Sequence, residues 1–470
     1  GMYKLRFSGY SASAPDSNRM DSQKMEQLQR KYGFWTATAM VVGIVIGSGV
    51  FFKADDVLFA AGGSLPVAIT AWLIGGGIMV ITAYTFSLIA TRIEKVNGLV
   101  DYFEEAYGEK AAYHVAWFMT FVYYPTLVAV LAWVSANYTV GLFGLEQGLW
   151  LIAAAYLLLF FLLNVYSPVL AGKWQISATV IKLIPLLLVA VFGTIAGLFT
   201  GQTVQSFTNA AGAVAAGGGG LPVATLATAF AYEGWIIATT INAELRDSKR
   251  TLPKALVVGT IVVVLVYLFY YLGISGVLSN EAVLTAGDQA PVEVMSLIFG
   301  RLGGSLLTVF VIVSCLGTLN GLIMGSVRGM YSIASRDLGP RPGYFKVVDP
   351  GTNSTQRSAL LGFTLSAFWM VVWYGNFSGW WGGFMDISEL PIAFLYVIYI
   401  LIYLWMIRKL SHLHTFGRYV APVLSGLGSL YIIFGAVQKA MFLHFLALTV
   451  VIAVVGLLLM NAKARDGAAR

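Results

Sequence analysis

The chain has 470 residues, 58% of them hydrophobic and only 11% charged, with a mean hydropathy of +0.78. That leaves too little polar surface to cover a soluble core, so the composition describes a polytopic membrane protein. The net charge of +7 then reads as membrane topology and attraction to anionic lipid, and it argues against a nucleic-acid partner.

Residues 1–30 are polar and hold no apolar stretch of signal-peptide type. The opening, GMYKLRFSGYSASAPDSNRM, carries no pattern that places it and could include added residues. Beyond it, apolar runs near the spanning length of about 20 residues recur twelve times. They lie at 34–59, 66–91, 113–142, 149–167, 175–199, 222–243, 255–279, 293–330, 358–375, 380–407, 419–437 and 440–461. Basic residues fix the expected orientation, because positive loops stay in the cytoplasm. With both termini cytoplasmic, Arg92, Lys95, Lys173, Arg246, Lys249, Arg250, Arg336, Arg341, Lys346, Arg408 and Lys409 fall inside, whereas Lys53 and Lys439 face out. Arg301 lies in or near the eighth span and Lys182 within the fifth. The expectation is a multi-pass protein of the plasma membrane.

The first span contains GIVIGSGVFF, residues 43–52, with three glycines and a serine where lipid offers no substitute hydrogen bonds. The sixth contains AFAYEGWIIATTINAEL, in which Glu233 and Gly234 interrupt an otherwise apolar run. Interrupted spans at matching positions of two halves point to an inverted-repeat transporter with its site near the membrane midplane. Five crossings per half force the second half to run inverted. The division is then a cytoplasmic segment 1–30, a first repeat 31–200, an extracellular loop 201–220, an inverted repeat 221–410, two further helices in 411–462 and a tail 463–470. The bland alternative for any one glycine is close helix packing.

A broken helix frees backbone groups, and in a bilayer these are tolerated only where protein, water or ligand satisfies them. The amides at Gly47, Ser48 and Gly49 open a new helix, so its positive dipole end favours a carboxylate. Carbonyls at Val45, Phe230 and Glu233 would suit an ammonium, and the set together reads an α-amino acid zwitterion. Selectivity must then come from pocket walls, with Tyr123, Tyr124, Phe230 and Trp235 as candidates; ordinary aromatic packing is the alternative for each. Phe230 could close over a bound amino acid.

Lys182, in SATVIKLIPLLLV, lies about 13 Å into its span if that helix starts near Lys173, by helical rise, which is deep for snorkelling. Its ammonium could meet carbonyls freed near Gly43 and the hydroxyl of Ser314, standing in for a sodium ion or carrying a coupling proton. Glu233 could titrate, pair with a cation or face the outer vestibule. For Asp386 and Glu389 the expectation is solvation at the membrane interface. The stretch KVNGLVDYFEEAYGEKAAYH places Leu99, Tyr102, Phe103 and Ala106 on one side, an interfacial helix across the cytoplasmic mouth or a gate. Residues 201–220 read as a flexible uncharged linker.

The lone cysteine, Cys315, falls within a span, allows no intramolecular disulfide and reads as packing. The four histidines, His114, His412, His414 and His444, form no catalytic or metal-binding spacing, so neither an enzyme nor a metal or other cofactor is expected. A channel would need rings of polar groups or a filter loop. A substrate-sensing receptor should add a signalling tail, for which NAKARDGAAR offers no room.

The ordered set IGSGVFF, NGLVDYFEEAYG, KLIP, FAYEGW and SCLGTLNG resembles the amino acid–polyamine–organocation superfamily, and within it the L-type amino acid transporter family, over residues 31 to about 460. Bacterial serine/threonine and alanine/serine/cysteine exchangers look nearest. The resemblance implies an all-α leucine-transporter fold of twelve transmembrane helices, a 5+5 inverted repeat plus two. It also implies sodium-independent exchange of small neutral amino acids by alternating access, with proton-coupled symport the alternative. Carried to this chain, it assigns Gly47, Ser48 and Gly49 to the carboxylate, the Val45, Phe230 and Glu233 carbonyls to the amine, and Lys182 to the place of a sodium ion. Animal members pair with a heavy-chain glycoprotein through a cysteine between helices 3 and 4. The segment GLFGLEQG has none, so no such partner is expected.

Overall fold

The computed structural model describes residues 32–93, 98–212 and 217–462. The expected N-terminal segment 1–30, Lys95 and the tail 463–470 lie outside the described residues. Among the described residues ten helices are long and apolar enough to cross a membrane, and two sharply bent pairs raise the number to twelve.

The first bent pair is α1 (Phe34–Val45) and α2 (Gly49–Ala60), inclined by 62°. Ile46, at φ −62° and ψ 114°, leaves helical geometry and ends α1. There follow α3 (Leu65–Ala90), the short α4 (Leu99–Tyr107), α5 (Glu109–Phe143), α6 (Leu149–Tyr166) and α7 (Pro168–Thr200). The second bent pair is α8 (Leu221–Ala231) and α9 (Trp235–Asn242), inclined by 46°. The remaining elements are α10 (Ser248–Val277), α11 (Ala290–Ser335), α12 (Gln356–Phe377), α13 (Leu390–Lys409), α14 (Phe416–Val437) and α15 (Phe442–Leu459). The expected span at 380–407 becomes helical only at Leu390, because Trp380–Glu389 folds as turns. The fifth starts at Pro168, seven residues before its expected position, since proline is well placed in a first helical turn.

The broken pairs form the centre of the bundle, held by α3, α10 and α14. Large apolar side chains of the outer helices face outward, as with Leu151, Ile176, Phe199 and Leu443, each more than 70% exposed. Such a face suits hydrocarbon rather than water. Helices associate in lipid by close packing of small residues, and α7 meets α10 in this way. A Cβ added at Gly193 would lie 2.5 Å from the Gly273 carbonyl oxygen, so the two backbones touch.

The amphipathic stretch folds as α4 with Leu99, Tyr102 and Phe103 buried and Ala106 half-buried. Arg336 at the end of α11 ties it down through Asp101 at 3.3 Å and Glu104 at 2.9 Å. The described part of 201–220 is more ordered than a plain linker. It forms a helical turn over Gln202–Thr208, the Ser206 hydroxyl donates to the Ser275 carbonyl at 2.7 Å, and Gly220 N–H donates to Ala60 at 2.9 Å.

Candidate functional site

The two breaks lie back to back, and glycine permits it. A Cβ at Gly234 would sit 2.8 Å from the Ile44 carbonyl oxygen, and one at Gly49 would sit 2.9 Å from both Ala231 Cα and the Phe230 ring. Any larger residue would force the half-helices apart.

One side chain bridges both breaks. The Tyr267 hydroxyl on α10 accepts from Gly47 N–H at 2.9 Å and donates to the Ala231 carbonyl at 3.0 Å, with the Val45 carbonyl at 3.5 Å. The Gly47 amide is therefore taken by the protein itself. The Ser48 and Gly49 amides have no acceptor among the described residues. The Ser48 hydroxyl donates to Thr318 Oγ1 at 2.9 Å, which fastens this turn to α11. The Phe230 carbonyl accepts from Glu233 N–H at 3.4 Å, so it is engaged by its own turn.

Beside the breaks is a cavity of about 150 Å³, well below the roughly 300–1,000 Å³ of pockets for drug-sized ligands. Val45, Gly47, Ser48, Gly49, Tyr123, Lys182, Phe230, Glu233 and Ser314 all line it, joined by Thr318, Ile237 and Ile392. Three residues singled out from the sequence do not. Trp235 opens α9 turned inward, fully buried with its ring 5.5 Å from Tyr399 and 5.4 Å from Phe86. Tyr124 follows Tyr123 and so points about 100° away around the helix, onto Gly325 and into an adjoining cavity lined by Leu99 and Arg328. Gly43 contributes only its carbonyl, outside the cavity wall.

That carbonyl accepts the Lys182 ammonium at 2.6 Å. Lys182 stands fourteen residues beyond Pro168, about 21 Å along α7 by helical rise. Its expected contact with Ser314 is not made: Ser314 Oγ is buried with no hydrogen-bond partner. Glu233 accepts from the Tyr123 hydroxyl at 2.7 Å through Oε1, while its buried Oε2 has no partner.

On the face that carries Lys439, Asp386 and Glu389 depart from the expectation of interfacial solvation. Both are buried, at 5% and 2% exposure, because the turns before α13 fold inward onto two lysines. The Lys53 ammonium on α2 donates to Glu389 at 2.6 Å and Ser388 at 2.8 Å, and Lys439 reaches Asp386 at 3.0 Å and Glu389 at 3.6 Å. Ser388 in turn donates to Asp386. Immediately inside, the Phe230 ring lies 5.2 Å from the Lys53 ammonium and edge-on to Phe52 at 5.1 Å. This layer separates the central cavity from a second one of about 520 Å³, lined by Asp55, Asp56, Asp288 and Trp373.

Sequence reasoning missed Tyr267, Thr318 and this ion network. Nothing in VLVYLFYYLG distinguishes Tyr267 from Tyr270 or Tyr271. For the network a signal existed: Lys53 lies one helical turn beyond Gly49, and two carboxylates occupy MDISEL within an otherwise apolar stretch.

Two interrupted helices that meet at a small cavity, in an all-α polytopic membrane protein, define the class as a secondary transporter. The chain belongs to the amino acid permease family, which it matches over residues 32–456. It is 29% identical over 388 residues to the serine/threonine exchanger SteT of Bacillus subtilis, covering 81% of this chain and 84% of that one. The human large neutral amino acids transporter small subunit 2 is 30% identical over 309 residues, 60% of this chain and 56% of its own length. The human cystine/glutamate transporter is 26% identical over 320 residues, 67% of this chain and 63% of its own.

Proposed function

We propose that this permease exchanges small neutral L-amino acids, such as alanine, serine, cysteine or threonine, across the plasma membrane by alternating access and without sodium. The observation that carries the reading is the meeting of the two breaks at a cavity of about 150 Å³, with the Ser48 and Gly49 amides unpaired there. Those amides, at the start of α2, take the substrate carboxylate. The Val45 and Glu233 carbonyls face the ammonium, and Tyr123, Phe230 and Ile392 bound the side chain. The small volume favours small side chains, and serine and threonine are the amino acids that the relative SteT is named for.

Lys182 supports independence from sodium. Its ammonium bonds the Gly43 carbonyl near the end of α1 and supplies a fixed positive charge where another transporter would need a metal ion. Residues 31–200 and 221–410 act as inverted five-helix repeats, with α14 and α15 outside them. Termini in the cytoplasm put the Lys53–Glu389 network outside and the cavity beside α4 inside, so the conformation described is closed to the exterior. No disulfide-linked heavy chain takes part.

Proteoliposome uptake of labelled L-alanine and L-serine tests this. Uptake that requires unlabelled amino acid inside and ignores sodium is expected. Accumulation in empty vesicles driven by a pH gradient would replace exchange with proton symport.

A further inference from the structure

We infer that the Glu233 side chain is the counter-charge for the transported amino acid's ammonium, a specificity-determining contact beyond the backbone carbonyls; the inference rests on the amino-acid reading of this cavity. Glu233 stands at the α8–α9 break, and the backbone of its neighbour Gly234 is pressed on the Ile44 and Val45 backbone. It lines the central cavity. One oxygen accepts from Tyr123 at 2.7 Å, and this bond orients the group. The other is buried with no hydrogen-bond partner.

A carboxylate within a membrane span requires a compensating charge or a wet cavity. Among the described residues Glu233 forms no ion pair, and the one cation lining the same cavity, Lys182, is engaged with the Gly43 carbonyl. The missing partner is therefore a cation that enters with the ligand. An α-amino acid brings one, and its carboxylate can at the same time meet the Ser48 and Gly49 amides. A zwitterion would thus bridge an anionic side chain and a helix N-terminus, and both ends of the substrate would be read by charge. The same arrangement disfavours ligands that lack the amine, because they would leave the buried carboxylate unpaired.

The test measures equilibrium binding to the purified full chain in detergent, using L-alanine and L-lactate, which carries a hydroxyl in place of the ammonium. Glu233→Gln should weaken L-alanine by about tenfold or more, the loss expected when one partner of a buried charge pair is truncated, while L-lactate binds no more weakly than to the parent protein. Glu233→Asp, which keeps the charge, should recover part of the L-alanine affinity. L-alanine bound as tightly by Glu233→Gln as by the parent protein would overturn the inference, as would equal weakening of both ligands, the mark of a purely structural role. A parent protein that binds no amino acid would instead overturn the substrate reading itself.

Discussion

Lys53→Met removes one cation from a set of four charges, three of them buried and Lys439 half-buried, and the arithmetic of that set predicts the outcome. Lys53 and Lys439 balance Asp386 and Glu389, each within hydrogen-bond or ion-pair distance of an opposite charge, and all four line the larger cavity of about 520 Å³. Asp56, 3.6 Å from Lys53, is 48% exposed and adds little. Without Lys53 a net negative charge stays buried, at a cost of about 3–5 kcal/mol for a broken buried pair. Wetting of the carboxylates on opening relieves part of that cost. If half is relieved, the population open on this face rises about tenfold or more, since each 1.4 kcal/mol is a factor of ten. The assay places a cysteine at Ile392, behind the layer, in a Cys315→Ala background, and measures its labelling by a membrane-impermeant thiol reagent. Lys53→Met should raise the rate about tenfold, in line with that shift, and Lys53→Met/Glu389→Gln, which restores neutrality around Lys439 and Asp386, should bring it back. An unchanged rate in the single variant, or no recovery in the double, would refute the view that this network holds its face of the protein closed.

Three further outcomes are expected. Lys182→Ala should lower exchange by about tenfold or more while substrate binding weakens less, because the ammonium bonds the α1 backbone rather than the ligand; equal flux at equal protein amounts would remove it from the mechanism. Tyr267→Phe strips partners from the Gly47 amide and the Ala231 carbonyl at once, and should cost about 2–3 kcal/mol of stability, read as a lower melting temperature in detergent. Gly234→Ala sets a methyl 2.8 Å from the Ile44 carbonyl, and overpacking of this kind costs about 1–3 kcal/mol; uptake should fall although the protein still inserts, and normal uptake would show that the breaks can part without loss.

Much of the site was legible because its chemistry is backbone chemistry. IGSG and YEG mark where helices must stop, and a stopped helix inside a membrane has to face a cavity. Side-chain direction was harder to read. Tyr123 and Tyr124 are adjacent and chemically identical, yet about 100° of helical rotation sends one to the cavity and the other away. Trp235 was misplaced for the same reason, since a helix restarts after the break with a phase that the sequence leaves open.

The sequence by itself determined the membrane environment, the spans, the two interruptions and the unusual lysine in α7, because hydropathy and the lack of solvent for free backbone groups act locally along the chain. Only the tertiary structure decided what each charge and hydroxyl meets. Lys53 and Glu389 are 336 positions apart, and Gly47 and Tyr267 are 220 apart. Their contacts follow from how helices pack, and packing in lipid depends on the fit of small residues across many turns, which no single stretch of the chain specifies.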